Sequence, residues 1–140
     1  MKKYKIGYTT GVFDMFHIGH LNILRRAKEQ CEYLIVGVTT DALCYSRKNK
    51  YPIINEQERM AIVEAIRYVD QVVPQTHMNK EEAVREYKCD AVFVGSDWKG
   101  TAAWAQYERS FAQLGCEVVY LDHTDGISST ILRQKIQDNG

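Results

Sequence analysis

Net charge, proline and cysteine are all scarce in this chain. Among 140 residues, 18 lysines and arginines balance 18 aspartates and glutamates, and there are two prolines and four cysteines. The balance excludes a molecule that holds nucleic acid or a membrane surface by its overall field, so any attraction for an anion has to be local. Little proline and no low-complexity tract exclude a disordered or fibrous chain, and 45% apolar residues is the composition of a globular protein. Cys31, Cys44, Cys89 and Cys116 form no CxxC pair. That excludes a zinc ribbon and a small secreted disulfide scaffold, and leaves reduced thiols, mostly in the core. No stretch approaches a membrane span, and the opening MKKYKIGYTTG is basic without the apolar run or cleavage site of a signal peptide. A cytoplasmic protein without membrane insertion is therefore expected. With no internal repeat and no linker, 1–140 reads as a single domain.

What is present is alternation. Short apolar, β-branched or aromatic runs at Lys5 to Thr9, Tyr33 to Thr39, Gln71 to Val73, Ala91 to Gly95 and Glu117 to Leu121 are separated by segments of helical period, such as Leu21, Leu24 and Ala27. Asn55 followed by Glu58, and Asn79 followed by Glu82, mark helix starts, and Ser128-Ser129-Thr130 marks a third. Such alternation predicts an α/β fold: one Rossmann-like domain, a parallel five-stranded sheet with helices on both faces. Ile62, Val63 and Ile66 read as a core stripe, and Cys44 to Ile54, with Arg47, Lys48 and Lys50, as a basic loop. In open α/β sheets ligands bind beyond the carboxyl ends of the strands. Thr10 to His20, Thr39 to Asp41, Gly95 to Trp98 and His123 to Thr130 all follow strands and would gather there.

TGVFDMFHIGH, Thr10 to His20, places two histidines three positions apart at a strand-to-helix junction. On a first helical turn both lie on one face beside free backbone N–H groups. A helix N-terminus favours negative charge, imidazole N–H groups can follow charge as it builds on a phosphoryl group, and Gly19 leaves room for a phosphate to approach the backbone. From chemistry alone, one histidine capping the helix and the other filling a core corner is the alternative. A zincin site is not, because it uses HExxH and a third ligand, so no metal ligand set is expected in the protein.

Gly11 to His20, GVFDMFHIGH, closely resembles the GxFDxxHxGH signature of the cytidylyltransferase-like nucleotidyltransferases, and His123 to Thr130, HTDGISST, resembles their RTEGISTT motif. Asn55 to Arg59, Ile66 to Asp70 (IRYVD) and Gly95 to Gly100 (GSDWKG) resemble further segments of that family, most nearly in its glycerol-3-phosphate branch. The resemblance implies an enzyme that transfers CMP from CTP, with magnesium, to glycerol 3-phosphate or a similar small phosphorylated alcohol. Choline- or ethanolamine-phosphate acceptors, an adenylyltransferase, and a non-catalytic nucleotide-binding domain are the alternatives. The CDP-alcohol so formed would serve teichoic acid, capsule or lipid headgroup synthesis.

The same resemblance implies the site. His17 and His20 face the CTP phosphates, with Asp14 orienting the motif or the metal-nucleotide and Gly11, Val12, Phe13 and Gly19 framing the nucleotide. Lys48 and Lys50 match a K-x-K whose ammonium groups neutralise the reacting phosphates. Arg59 points its fork at a phosphate, and Asp97 and Trp98 suit hydroxyl recognition and cytosine packing. His123, Thr124, Gly126, Ile127, Ser128, Ser129 and Thr130 hold the triphosphate, while Asp41, Lys48 and Arg67 face the acceptor. Arg67 and Asp70 form an interface pair in a homodimer. On the residues alone, a solvated charged loop, an Arg59–Glu56 pair, a turn cap at Asp41, a surface Arg67–Asp70 pair, a core-sealing Trp98 and a hydroxyl helix cap remain open. Three positions depart from the family pattern. His123 replaces an arginine and offers one donor where a bidentate fork is usual, Val12 stands where relatives carry threonine, and Thr101 to Gln113 is longer, which points to a change in acceptor.

Overall fold

Strand and helix alternate through residues 2–122, which are those the computed structural model describes. The order is β1 (Tyr4–Gly11), α1 (Ile18–Gln30), β2 (Cys31–Thr39), α2 (Asp41–Lys48), α3 (Glu56–Glu64), β3 (Gln71–Gln75), α4 (Lys80–Tyr87), β4 (Ala91–Gly95), α5 (Ala102–Gln113) and β5 (Glu117–Leu121). A 3₁₀ turn, Ser96–Trp98, follows β4. The strands form one parallel sheet in the order β3-β2-β1-β4-β5. This is the predicted Rossmann-like architecture. Pro74 sits in β3, an edge strand, where the missing N–H costs little.

Side-chain alternation along the strands builds two cores. Leu34, Val36, Val38 and Phe93 point to the face covered by Leu24 and Ala27 of α1 and Val63 of α3. Tyr8, Ile35, Val73 and Val92 point to the other, where Val84 of α4 and Trp104 and Phe111 of α5 pack. Because the sheet is covered on both sides, β2 reads as a nearly continuous apolar run. Each fully buried aliphatic or aromatic side chain contributes about 1.5–3 kcal/mol. β1 and β4 approach closely beside Gly7: a Cβ there would stand 2.5 Å from the Phe93 ring.

Two expectations change. Cys44 to Ile54 is not all loop, since α2 runs to Lys48 and Asn49 closes it in a left-handed conformation at φ 57°. Only Cys44 of this helix is buried, so it carries no apolar period to read. Ile62 is 43% exposed, while Val63 is fully buried and Ile66 packs at the core margin. The four thiols are free and buried.

The strand order reverses between β1 and β4, where the chain, having gone outward through β2 and β3, crosses back. A crevice therefore opens beyond Gly11 and Gly95. Among the described residues no helix is long and apolar enough to cross a membrane.

Candidate active site

The loop from Val12 to His17 lies over that crevice in an unusual conformation. Phe13 and Met15 have φ values of 55° and 50°. A non-glycine residue in this region costs about 1–2 kcal/mol, so its surroundings must hold it. Asp14, between the two, is 2% exposed, and its carboxylate accepts from the N–H groups of Ile53 (2.8 Å) and Ile54 (2.9 Å). Arg59 provides the second hold. It donates to the carbonyls of Val12 (2.7 Å), Thr39 (2.7 Å) and Ile54 (2.8 Å), and pairs with Asp41 at 2.5 Å. One guanidinium thus ties the ends of β1 and β2 to the approach to α3.

This placement corrects two expectations. The Arg59 side chain has no exposed surface, and its fork is occupied by protein carbonyls and Asp41 instead of a nucleotide phosphate. Asp41 is likewise engaged: one carboxylate oxygen meets Arg59 and the other accepts from Glu56 N–H at 3.3 Å, so it braces the loop and does not face an acceptor. Buried charge is tolerated when it is paired and hydrogen-bonded, and here it is both.

The loop delivers His17 as the N-cap of α1 and His20 as its third residue. The two form a reciprocal capping box made of imidazoles. His17 Nδ1 accepts from Gly19 N–H at 3.0 Å, and His20 Nδ1 accepts from His17 N–H at 3.2 Å. The rings stack 3.8 Å apart at 21°. A nitrogen that accepts from a backbone N–H carries no proton, so each neutral ring holds its proton on Nε2. Burial lowers the pKa of His17. Burial, and secondly the neighbouring His17, push His20 down from 6.5 to about 4, against a smaller opposing effect of Asp14. Phe13 and Phe16 flank His20 with ring centres at 5.4 and 5.2 Å and supply that burial. Both histidines are therefore neutral Nε2–H donors at pH 7. His17 Nε2 is fully buried and has no partner among the described residues, which marks a position for an acceptor atom brought by a ligand.

A cavity of about 310 Å³ lies in front of these rings. Gly11, Val12, Phe13, His17, Gly19 and His20 line it, together with Asp97, Trp98, Trp104 and Lys80. Trp98, 48% exposed on the 3₁₀ turn, forms a rim and does not seal the core. A second cavity of about 370 Å³ shares Thr10, Gly11, Val12, Trp98, Trp104 and Lys80 and continues to Arg47, Lys48, Met78 and Tyr107. Lys48 thus reaches the site from the last turn of α2.

Two predicted residues are placed elsewhere. Lys50, beyond the Asn49 reversal, is exposed and lines neither cavity. Arg67 lies between α3 and β3, at the amino edge of the sheet, and rests over the Tyr68 ring at 5.4 Å, so it cannot face an acceptor bound at the carboxyl edge of its own chain. Its neighbour Asp70 pairs with Lys28 at 2.6 Å and accepts from Leu34 N–H. The predicted positions His123, Thr124, Gly126, Ile127, Ser128, Ser129 and Thr130 lie outside the described residues. Sequence reasoning missed Lys80, whose one signal was its place directly after the Asn79 cap. Burial and then Arg47 push its pKa down to about 8, with Glu81 opposing.

A nucleotide-sized cavity at the switch point, with paired imidazole donors on a helix N-terminus, suits an anionic nucleotide. The sequence profile described as Cytidylyltransferase-like matches residues 8–135. The chain belongs to the cytidylyltransferase-like family. It is 38% identical over 129 residues to a glycerol-3-phosphate cytidylyltransferase of Staphylococcus aureus, spanning 91% of this chain and 92% of that one. It is 36% identical to the Bacillus subtilis protein of the same name, at 91% and 94% coverage. A lipopolysaccharide core biosynthesis protein of Thermoplasma volcanium has a similar solved structure, with a TM-score of 0.72, 27% identity, and 86% and 97% coverage. In this cytidylyltransferase-like chain the segment His17 to His20 is therefore the imidazole capping box, and its strained approach is held by Asp14 and Arg59.

Proposed function

We propose that this protein transfers the CMP unit of CTP to glycerol 3-phosphate, forming CDP-glycerol and pyrophosphate. The observation that carries the reading is the stacked, neutral His17–His20 pair that lines the cavity, with the buried His17 Nε2–H unpartnered among the described residues. The acceptor's phosphate oxygen attacks the α-phosphorus, the bond to the β-phosphate's bridging oxygen breaks, and pyrophosphate departs with that electron pair. Both reactants are phosphate anions, so positioning and charge stabilisation dominate and a general base is unnecessary. His17 and His20 donate to the α-phosphate as charge builds there. Their neutrality keeps them donors without trapping the product in a tight ion pair. Trp98 and Asp97 receive the nucleoside side, and Lys48 with Arg47 the second phosphate.

Magnesium enters this reading on the triphosphate. Among the described residues no three histidine, cysteine, aspartate or glutamate side chains converge as a ligand set, and the Asp14 carboxylate accepts from two backbone N–H groups. A cytoplasmic homodimer completes the proposal; its size is read by light scattering.

The reaction assay decides the reading. Pyrophosphate release is expected only when CTP, magnesium and glycerol 3-phosphate are combined, and CTP is expected to raise the melting temperature more than ATP. Turnover with phosphocholine or phosphoethanolamine in place of glycerol 3-phosphate would reassign the acceptor. Silence across a panel of phosphorylated alcohols, or larger stabilisation by ATP, overturns the reading.

A further inference from the structure

We infer that Gln75 reads a hydroxyl group of the acceptor and thereby selects a phosphorylated polyol over a phosphorylated amino alcohol; this rests on the function proposed above. Gln75 closes β3 at the carboxyl edge of the sheet and is 8% exposed. It lies beside Thr39, the last residue of β2 and its partner in the strand register. Both line the cavity that holds Arg47 and Lys48, and neither lines the one that holds the histidines. They belong to the acceptor's side of the site, not the nucleotide's.

The neighbours of the amide fix its orientation. Thr39 Oγ1 donates to Gln75 Oε1 at 2.7 Å, which leaves Nε2 to Met78, whose Sδ lies at 3.6 Å. Reversing the amide would set its oxygen against the sulfur, two acceptors with no proton between them. Nε2 carries two hydrogens and a thioether is a weak acceptor, so the amide keeps donor capacity that the described residues do not spend. A buried donor of this kind calls for an acceptor atom, and an alcohol oxygen entering the cavity supplies one. An ammonium group cannot, because it has no lone pair. It would also meet like charge, since Arg47, Lys48 and Lys80 line this cavity and no carboxylate does among the described residues. Arg47 and Lys48 thus take the phosphate, and Gln75 the alcohol.

Two analogues of glycerol 3-phosphate test the assignment, one without the terminal hydroxyl and one without the central hydroxyl. In steady-state pyrophosphate release the wild type is expected to lose roughly 10- to 100-fold in kcat/KM with one of them, the range for a buried donor left without its partner. Gln75→Met keeps an unbranched side chain and removes the amide. Gln75→Met/Thr39→Val also removes the hydroxyl that would otherwise be orphaned, and serves if the single variant is unstable. In either variant, turnover of glycerol 3-phosphate falls to the level of that analogue, the two substrates differing by no more than about twofold, the scatter of independent effects. KM for CTP keeps its wild-type value within the same margin. A variant that discriminates among the three alcohols as the wild type does, a wild type indifferent to both hydroxyls, or an equal rise in KM for CTP overturns the assignment while leaving the proposed function standing. Equal turnover of phosphoethanolamine and glycerol 3-phosphate by the wild type overturns the selection. A wild-type protein silent with every phosphorylated alcohol overturns the assignment and the proposed function together.

Discussion

Replacing His17 by asparagine lowers kcat roughly 100- to 1,000-fold, the usual effect of removing one preorganised donor from a developing charge, while the protein stays folded. Asparagine is among the best N-cap residues, so its side-chain oxygen takes over the bond from Gly19 N–H that His17 Nδ1 accepts. Its amide cannot reach as far as an imidazole Nε2, so the donor toward the cavity is lost. His17→Ala removes both functions and adds about 1 kcal/mol of instability from the missing cap. Steady-state pyrophosphate release and urea midpoints on the two variants separate catalysis from folding. Asparagine retaining activity within tenfold of wild type would show that the ring serves only as a cap.

Arg59→Met has the largest expected effect on stability, a loss of about 3–5 kcal/mol in a protein whose total is of the order of 5–15 kcal/mol. The substitution removes one guanidinium and leaves three carbonyls, those of Val12, Thr39 and Ile54, without their donor, and Asp41 without its counter-charge. Some of the loss returns in Arg59→Met/Asp41→Asn, because the uncompensated carboxylate is gone; the double-mutant cycle isolates that coupling. Urea denaturation of the four proteins reads it directly. A loss below 1 kcal/mol for Arg59→Met would contradict the view that this residue holds the loop.

Most of the fold was legible because a doubly covered parallel sheet leaves apolar runs separated by amphipathic ones. All five strands are legible as apolar stretches, although β1, β2 and β3 extend beyond them, to Tyr4 and Gly11, back to Cys31 and on to Gln75. The helix starts at Asn55 and Asn79 were readable because each cap is made by the side chain itself. Arg59 was not readable as a brace. Its partners are backbone carbonyls on separate segments, and a carbonyl leaves no mark in a sequence. Arg47 and Lys48 read as loop residues in the sequence because α2 buries only Cys44. His17 and His20 were recognised as donors, but the capping bonds that fix their tautomers appear only when Gly19 N–H and His17 N–H are placed in space.

The central claim is that both imidazoles are neutral at pH 7, carry their protons on Nε2 and present them to the nucleotide. Two-bond ¹H–¹⁵N spectra of histidine-labelled protein test it most directly, recorded from pH 8 to pH 4 and with added CTP. The expected result is two Nε2–H rings at pH 7, His20 staying neutral until about pH 4, and Nε2 signals of both residues shifting when CTP binds. An Nδ1–H tautomer, a charged ring at pH 7, or Nε2 signals indifferent to CTP would contradict it.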